Sequence, residues 1–127
     1  MESEYSEHAG YSVRWFADGN CDFDAFEQIE NNLCDHYSNE NFYFCKQSGQ
    51  QVRDQWKKEN VAGICCYVNG ECENPVGYML YDLRKASIKI RRLCIDPQHF
   101  GNGAGRVLIH RLRQKIYAPP IKLFSVI

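Results

Sequence analysis

The chain reads as an α/β (α+β) fold, with a central mixed, mostly antiparallel sheet flanked by helices in the order β-α-α-β-β-β-α-β. Three observations predict this. Apolar residues recur at helical spacing up to about residue 56, then change to strand-like runs after Asn60. Asn69-Gly70, a strong hairpin signal, divides those runs. Three alternating glycines, Gly101, Gly103 and Gly105, then separate the last of them from a new amphipathic pattern.

The elements follow in order. Residues 1–9 are polar and are expected to be a disordered lead-in to a single domain over 10–127. "YSVRWF" at 11–16 is rich in strand formers. "CDFDAFEQIENNLC" spaces Phe23, Phe26, Ile29, Leu33 and Cys34 as one face of a helix, with Asp22 and Asp24 at its positive end. Ser38 is expected to cap a second helix through "NENFYFCKQ", with Glu40 in its first turn. "GQQVRDQWKKEN" either continues that helix after Gly49 or forms a short third one. Strands are expected at 61–68, 76–83 and 88–96, an antiparallel meander ended by Pro97. A helix over 104–117 carries Leu108, Ile109, Leu112 and Ile116 on its apolar stripe, with Arg106, His110 and Arg113 on another face. Pro119-Pro120 stops it, and "IKLFSVI" at 121–127 makes a last strand.

Composition narrows the function. Apolar residues are 44% and charged residues 24%, a globular balance. A net charge of −1 argues against nucleic acid as a partner. No apolar run reaches the ~18–20 residues of a membrane span, and the acidic start lacks the features of an export signal. No membrane partner is therefore expected, and the expected location is cytoplasmic. The seven cysteines are odd in number and lack paired zinc spacing, so they read as small buried hydrophobes with no metal.

A strand, a glycine-rich turn and a helix start together make an anion site, because the first helical amides are unpaired and the dipole adds positive charge. Gly101, Gly103 and Gly105 would let a pyrophosphate approach the backbone, with Arg106 adding a charge. The spacing is not G-x-G-x-x-G, and no Gly-Lys pair makes a P-loop.

"RRLCIDPQHFGNGAGRVLIHRL" resembles motif A of the GNAT acyltransferases, an apolar strand ending in V/I-x-P, then R/Q-x-x-G-x-G/A, then an amphipathic helix. Ile95-Asp96-Pro97, Gly103 and Gly105 carry the match. "PVGYMLYDLRKASIKIRRLCIDP" is similar to the subgroup that acetylates protein N-terminal amines, including those of ribosomal proteins. The resemblance implies a GNAT-like fold, C-terminally shortened, that lacks the family's last helix and two strands. It implies acetyl-CoA as acyl donor and a primary amine as acceptor, on a small molecule or a protein N-terminus. The backbone of Leu93, Cys94 and Ile95 would hold the pantetheine arm and polarise the acetyl carbonyl. Phe100, Gly101, Asn102, Gly103, Ala104, Gly105 and Arg106 would hold the pyrophosphate.

Two positions depart from the pattern. Phe100 occupies the Arg/Gln position, with Gln98 two residues early. Ser125 stands where the subgroup carries a basic glutamate, and the tyrosine acid of the missing helix has no counterpart. Glu71, Glu73 and Asp82 remain as carboxylate bases, and Tyr78 and Tyr81 as acids. Glu73 and Tyr81 are the pair expected to be catalytic. His99 is expected beside phosphate, His110 exposed, and Cys94 a buried thiol rather than a nucleophile. The bare edge of 121–127 suggests a homodimer. The alternative function is a catalytically silent acyl-CoA-binding or interaction module on the same fold.

Overall fold

The computed structural model describes residues 10–19, 21–116 and 123–126. The expected disordered lead-in, Tyr117, Pro119-Pro120 and both ends of the last predicted strand lie outside the described residues.

Five strands form one sheet: β1 (Tyr11–Trp15), β2 (Val61–Val68), β3 (Gly77–Leu83), β4 (Ser87–Ile95) and β5 (Leu123–Val126). They lie side by side in chain order. β1 to β4 pair antiparallel, and β5 runs parallel to β4. The meander follows from its turns. Gly70 takes φ +91° in the β2–β3 connection, where Glu71 N–H donates to Val68 O at 3.0 Å.

β2, β3 and β4 bury residues on both faces, and alternation sorts their side chains. One face packs Cys65, Tyr67, Tyr78, Leu80 and Cys94 against Phe26, Ile29, Leu33 and Val52. Those last four come from α1 (Phe23–Ser38) and α2 (Gly49–Trp56). The other face packs Ile64, Cys66, Met79, Tyr81, Ile88 and Ile90 against α3 (Ala104–Ile116). Within α3 the buried stripe is Ala104, Val107, Leu108 and Leu112, while Ile109 is only half-buried. The expected stripe is thus rotated toward Val107, and the side chain of Ile116 is outside the described residues.

The α1–α2 region differs from the sequence expectation. Ser38 is the last residue of α1, not the cap of a new helix. Phe42 N–H donates back to Tyr37 O at 2.8 Å, and Asn41 takes a left-handed φ of +59°. Asn39, Glu40 and Asn41 therefore form a turn, and residues 42–48 run without regular structure. The true second helix starts at Ser48, whose Oγ accepts from Gln51 N–H while Gln51 Oε1 accepts from Ser48 N–H, a reciprocal capping box. Gly49 is required there, since a Cβ would stand 2.5 Å from Phe23 O.

β4 carries the irregularity that shapes the site. Leu80 pairs with Arg92 but Tyr81 with Ile90, so Arg91 is an extra residue, a β-bulge. The described β4–β5 ladder runs from Ser87↔Leu123 to Ile90↔Val126 and stops at that bulge.

Candidate functional site

Beyond the bulge, the outer edge of β4 has no strand partner among the described residues. Asp96 N–H donates to Val76 O at 2.8 Å. By antiparallel alternation, Cys94 N–H also turns toward β3, while the amides of Leu93 and Ile95 turn outward. Of the three backbone groups the sequence suggests, two therefore face the open edge. The Leu93 side chain is 39% exposed.

The chain then turns through a short 3-10 segment, Pro97–His99. Asp96 fixes the corner: Oδ1 accepts from Gln98 N–H at 3.0 Å, and Oδ2 accepts from Asn32 Nδ2 of α1 at 2.8 Å. His99 Nδ1 is 2.8 Å from Tyr11 Oη, which ties the turn to β1. Gly101 and Gly103 follow with φ of +77° and +93°, backbone that a side chain would strain. The first bond of α3 runs from Val107 N–H to Gly103 O at 3.0 Å. The amides of Ala104, Gly105 and Arg106 therefore precede the helical ladder and point out of its start. A Cβ on Gly105 would find only Ile95 Cγ1, at 3.9 Å, so that glycine leaves room that the protein itself does not fill.

Edge and loop border one cleft of about 250 Å³. Leu93, Cys94, Ile95, His99, Phe100, Gly101, Gly103, Ala104 and Gly105 line it, with Leu33, Tyr37 and Phe44 from the α1 side. Asn102 and Arg106 are exposed beside the loop and are not among the lining residues. Phe100 does not donate hydrogen bonds as Arg or Gln would; its ring meets His36 edge-on at 5.2 Å and lies 6.5 Å from Tyr37.

Beneath the cleft lies a charge network that the sequence reading missed. Glu30 is fully buried. Arg92 grips it with Nε at 2.7 Å and Nη2 at 2.5 Å. Tyr78 Oη donates to its Oε2, and Cys94 Sγ lies 3.1 Å from the same oxygen. Gln47 N–H donates to Glu30 Oε1 at 3.0 Å, and Arg92 Nη2 donates to Cys45 O at 3.0 Å. The pair therefore tethers the α1–α2 loop to β4. The signal was visible: Glu30 falls four residues after Phe26 and three before Leu33, inside the apolar stripe. Burial alone would raise the Glu30 pKa, but the hydrogen bonds from Arg92, Tyr78 and Gln47 and the Arg92 charge outweigh it and hold the carboxyl below its usual range. Burial, followed by the Glu30 charge, pushes the Cys94 thiol up to about 12, so it is no nucleophile at neutral pH.

The other expected site residues stand elsewhere. Glu73 is exposed in the β2–β3 loop and lines a separate cleft with Arg14, Asp22 and Tyr67. Tyr81 is 3% exposed in the core beneath α3, and burial raises its phenol to about 12. Neither lines the glycine-loop cleft. Glu71 is exposed, and Asp82 accepts from Arg91 Nε at 2.9 Å. The Ser125 backbone pairs with Lys89. Among the described residues, no group of three His, Cys, Asp or Glu converges to hold a metal.

The sequence profile of the acetyltransferase (GNAT) family matches residues 26–119. Among curated proteins, none matches the chain. Solved structures share the fold. The ribosomal-protein-S18-alanine N-acetyltransferase from Escherichia coli superposes with a TM-score of 0.67 at 13% identity, over 91% of this chain and 65% of that one. The chain thus spans just under two thirds of that enzyme's length. An aminoglycoside acetyltransferase from an uncultured soil metagenomic sample, in complex with sisomicin, gives 0.62 at 14% identity, over 94% and 78%. The ribosomal-protein-alanine N-acetyltransferase from Brucella melitensis biovar Abortus 2308 gives 0.59 at 14%, over 92% and 79%.

Proposed function

Since this chain belongs to the acetyltransferase (GNAT) family, we propose that its cleft binds acetyl-CoA and transfers the acetyl group to a primary amine, on a small molecule or a protein N-terminus. The carrying observation is the junction of the open β4 edge with the glycine-loop start of α3. The residues fit the donor. Ala104, Gly105 and Arg106 offer unpaired amides to a pyrophosphate. Gly101 and Gly103 give the loop the backbone conformation that turns it into that helix start.

Acetyl-CoA supplies a thioester carbonyl. The outward amides of Leu93 and Ile95 hold the arm beside β4 and polarise that carbonyl. The amine nitrogen attacks directly: a C–N bond forms, the C–S bond breaks, and the amine's proton ends on the departing thiolate. The buried Cys94 thiol favours this direct route over an acyl-enzyme. Glu73 and Tyr81 take no part in this reading, because neither lines the cleft.

A second reading, acyl-CoA binding without turnover, is favoured by the lack of any carboxylate among the described lining residues. One experiment separates the two: the purified chain with acetyl-CoA and a panel of amines, monitoring release of free CoA thiol. Amine-dependent release supports transfer. Acetyl-CoA binding without release supports the second reading, and no binding overturns both.

A further inference from the structure

From the cleft's lining and charge, we infer an acceptor class: a singly charged primary amine carried on an apolar body, with polycationic amines disfavoured. The inference rests on the acyl-transfer reading and deepens it. Both a peptide-amine enzyme and an aminoglycoside enzyme share this fold, so the fold alone does not choose between them.

The first observation is an aromatic mouth. The loop between α1 and α2 carries Phe44 into the cleft and leaves Phe42 60% and Tyr43 83% exposed. The Tyr37 ring lies 5.2 Å from that of Phe42 and 5.7 Å from that of Phe44. Phe42 touches the lining residue Tyr37, and Tyr43 sits between Phe42 and Phe44 in the same loop, so exposed aromatic surface adjoins the cleft without lining it.

The second observation is charge. A polycation needs carboxylates, and the described lining has none. Of the acids nearby, Glu30 is neutralised by Arg92, Asp96 is held by Asn32 and by its own turn, and the exposed Glu40 lies 3.5 Å from His36 Nε2. The aromatic mouth is no cage for extra ammonium groups either, because the Arg92 guanidinium already sits 5.3 Å over the Phe44 ring.

Chemistry joins these observations. Attack requires the neutral amine, and an apolar wall disfavours the ammonium form by desolvation. One amine enters such a wall by losing a single proton. A polyamine must strip water from every remaining charge, with no carboxylate to compensate.

The test compares phenylethylamine and a short peptide starting with Phe against spermidine and sisomicin, after calorimetry has established acetyl-CoA binding by the same protein. The expected result is kcat/KM at least about tenfold higher for the apolar amines, the size of a difference of one well-buried group. The two apolar arms tell a free amine from a chain terminus. Phe42→Ser/Tyr43→Ser, at exposed positions, should raise the apolar acceptor's KM by about five- to tenfold while acetyl-CoA affinity stays within about twofold. Equal or better turnover of spermidine or sisomicin overturns the inference, as does a variant that weakens acetyl-CoA and not the acceptor. If acetyl-CoA binds and no amine turns over, the transfer reading fails by itself. Saturation-transfer binding of phenylethylamine against spermidine to the CoA-loaded protein then decides the acceptor class: preference for the apolar amine supports it, no preference overturns it.

Discussion

Glu30 shows how one residue links stability to the site. Its carboxylate is buried among Ile29, Leu33 and Tyr78, and only a complete set of partners makes that tolerable. Arg92→Leu strands the charge and should cost about 3–5 kcal/mol in denaturant unfolding. The double variant Glu30→Met/Arg92→Leu removes both charges and should recover most of that loss. A double variant no more stable than Arg92→Leu alone would refute this. The pH dependence has a definite sign. The folded carboxyl titrates below its unfolded value of ~4.3, so its contribution is present above that pH and is lost as pH falls through the folded value. The stability gap between the native chain and Glu30→Gln should therefore be widest near neutrality and shrink in acid. Cys94 gives a chemical readout of the same pocket. Its buried thiol, raised to about 12, should resist iodoacetamide at pH 8 while the exposed Cys45 and Cys72 react, as mass spectrometry would resolve. Rapid alkylation of Cys94 in the folded chain would contradict the described burial.

At the scale of elements, legibility tracks how local the determining force is. The break between β2 and β3 was readable because Asn69-Gly70 marks where β2 ends, and the start of α3 because alternating glycines mark a helix entry. The segment after Ser38 misled, because Ser is a good cap in isolation. There the Phe42 N–H closes the helix onto Tyr37 O, and the capping box at Ser48 and Gln51 wins the next start. The α3 stripe was read one position off because neighbouring apolar residues, Val107 through Ile109, offer two overlapping faces. Only contact with Ile64, Met79 and Ile90 selects between them. The glycine loop supports a split prediction. Gly103→Ala forces a side chain into φ +93°, which should cost about 1–2 kcal/mol and weaken acetyl-CoA. Gly105→Ala lies in the helix with its nearest neighbour at 3.9 Å, so it should gain about 0.4–1 kcal/mol in stability, yet weaken acetyl-CoA because its Cβ takes up room in the cleft. Thermal unfolding and calorimetry on both variants check this, and equal effects on stability at the two positions would remove the distinction between conformation and space.

Over the whole molecule, two apolar layers share one sheet, and the cleft opens where, among the described residues, β4 has no outer strand partner. α1 and α2 cover one face and α3 the other. Among the described residues, β5 pairs with β4 from Ser87 to Ile90, up to the bulge at Arg91. Strand order and the glycine loop were legible in the sequence. The opposite wall, Leu33, Tyr37 and Phe44, was not, because it forms only when a loop far from β4 in sequence is pinned there by Glu30 and Arg92. Acetyl-CoA bound in this slot would touch β4, the start of α3 and the α1 side together, so it should stabilise the molecule as a unit. At about 100 times its dissociation constant it adds roughly 2.7 kcal/mol, a rise in Tm on the order of 10 °C, with NADH and ATP as controls. Amide exchange tests the location within the same sample. The amides of Leu93 and Ile95 face the open edge and should slow markedly on adding acetyl-CoA. Cys94, turned toward β3, should slow only as much as the fold as a whole. Stabilisation with uniform protection at all three positions would mean that the ligand binds elsewhere, and the β4 edge would lose its part in the reaction.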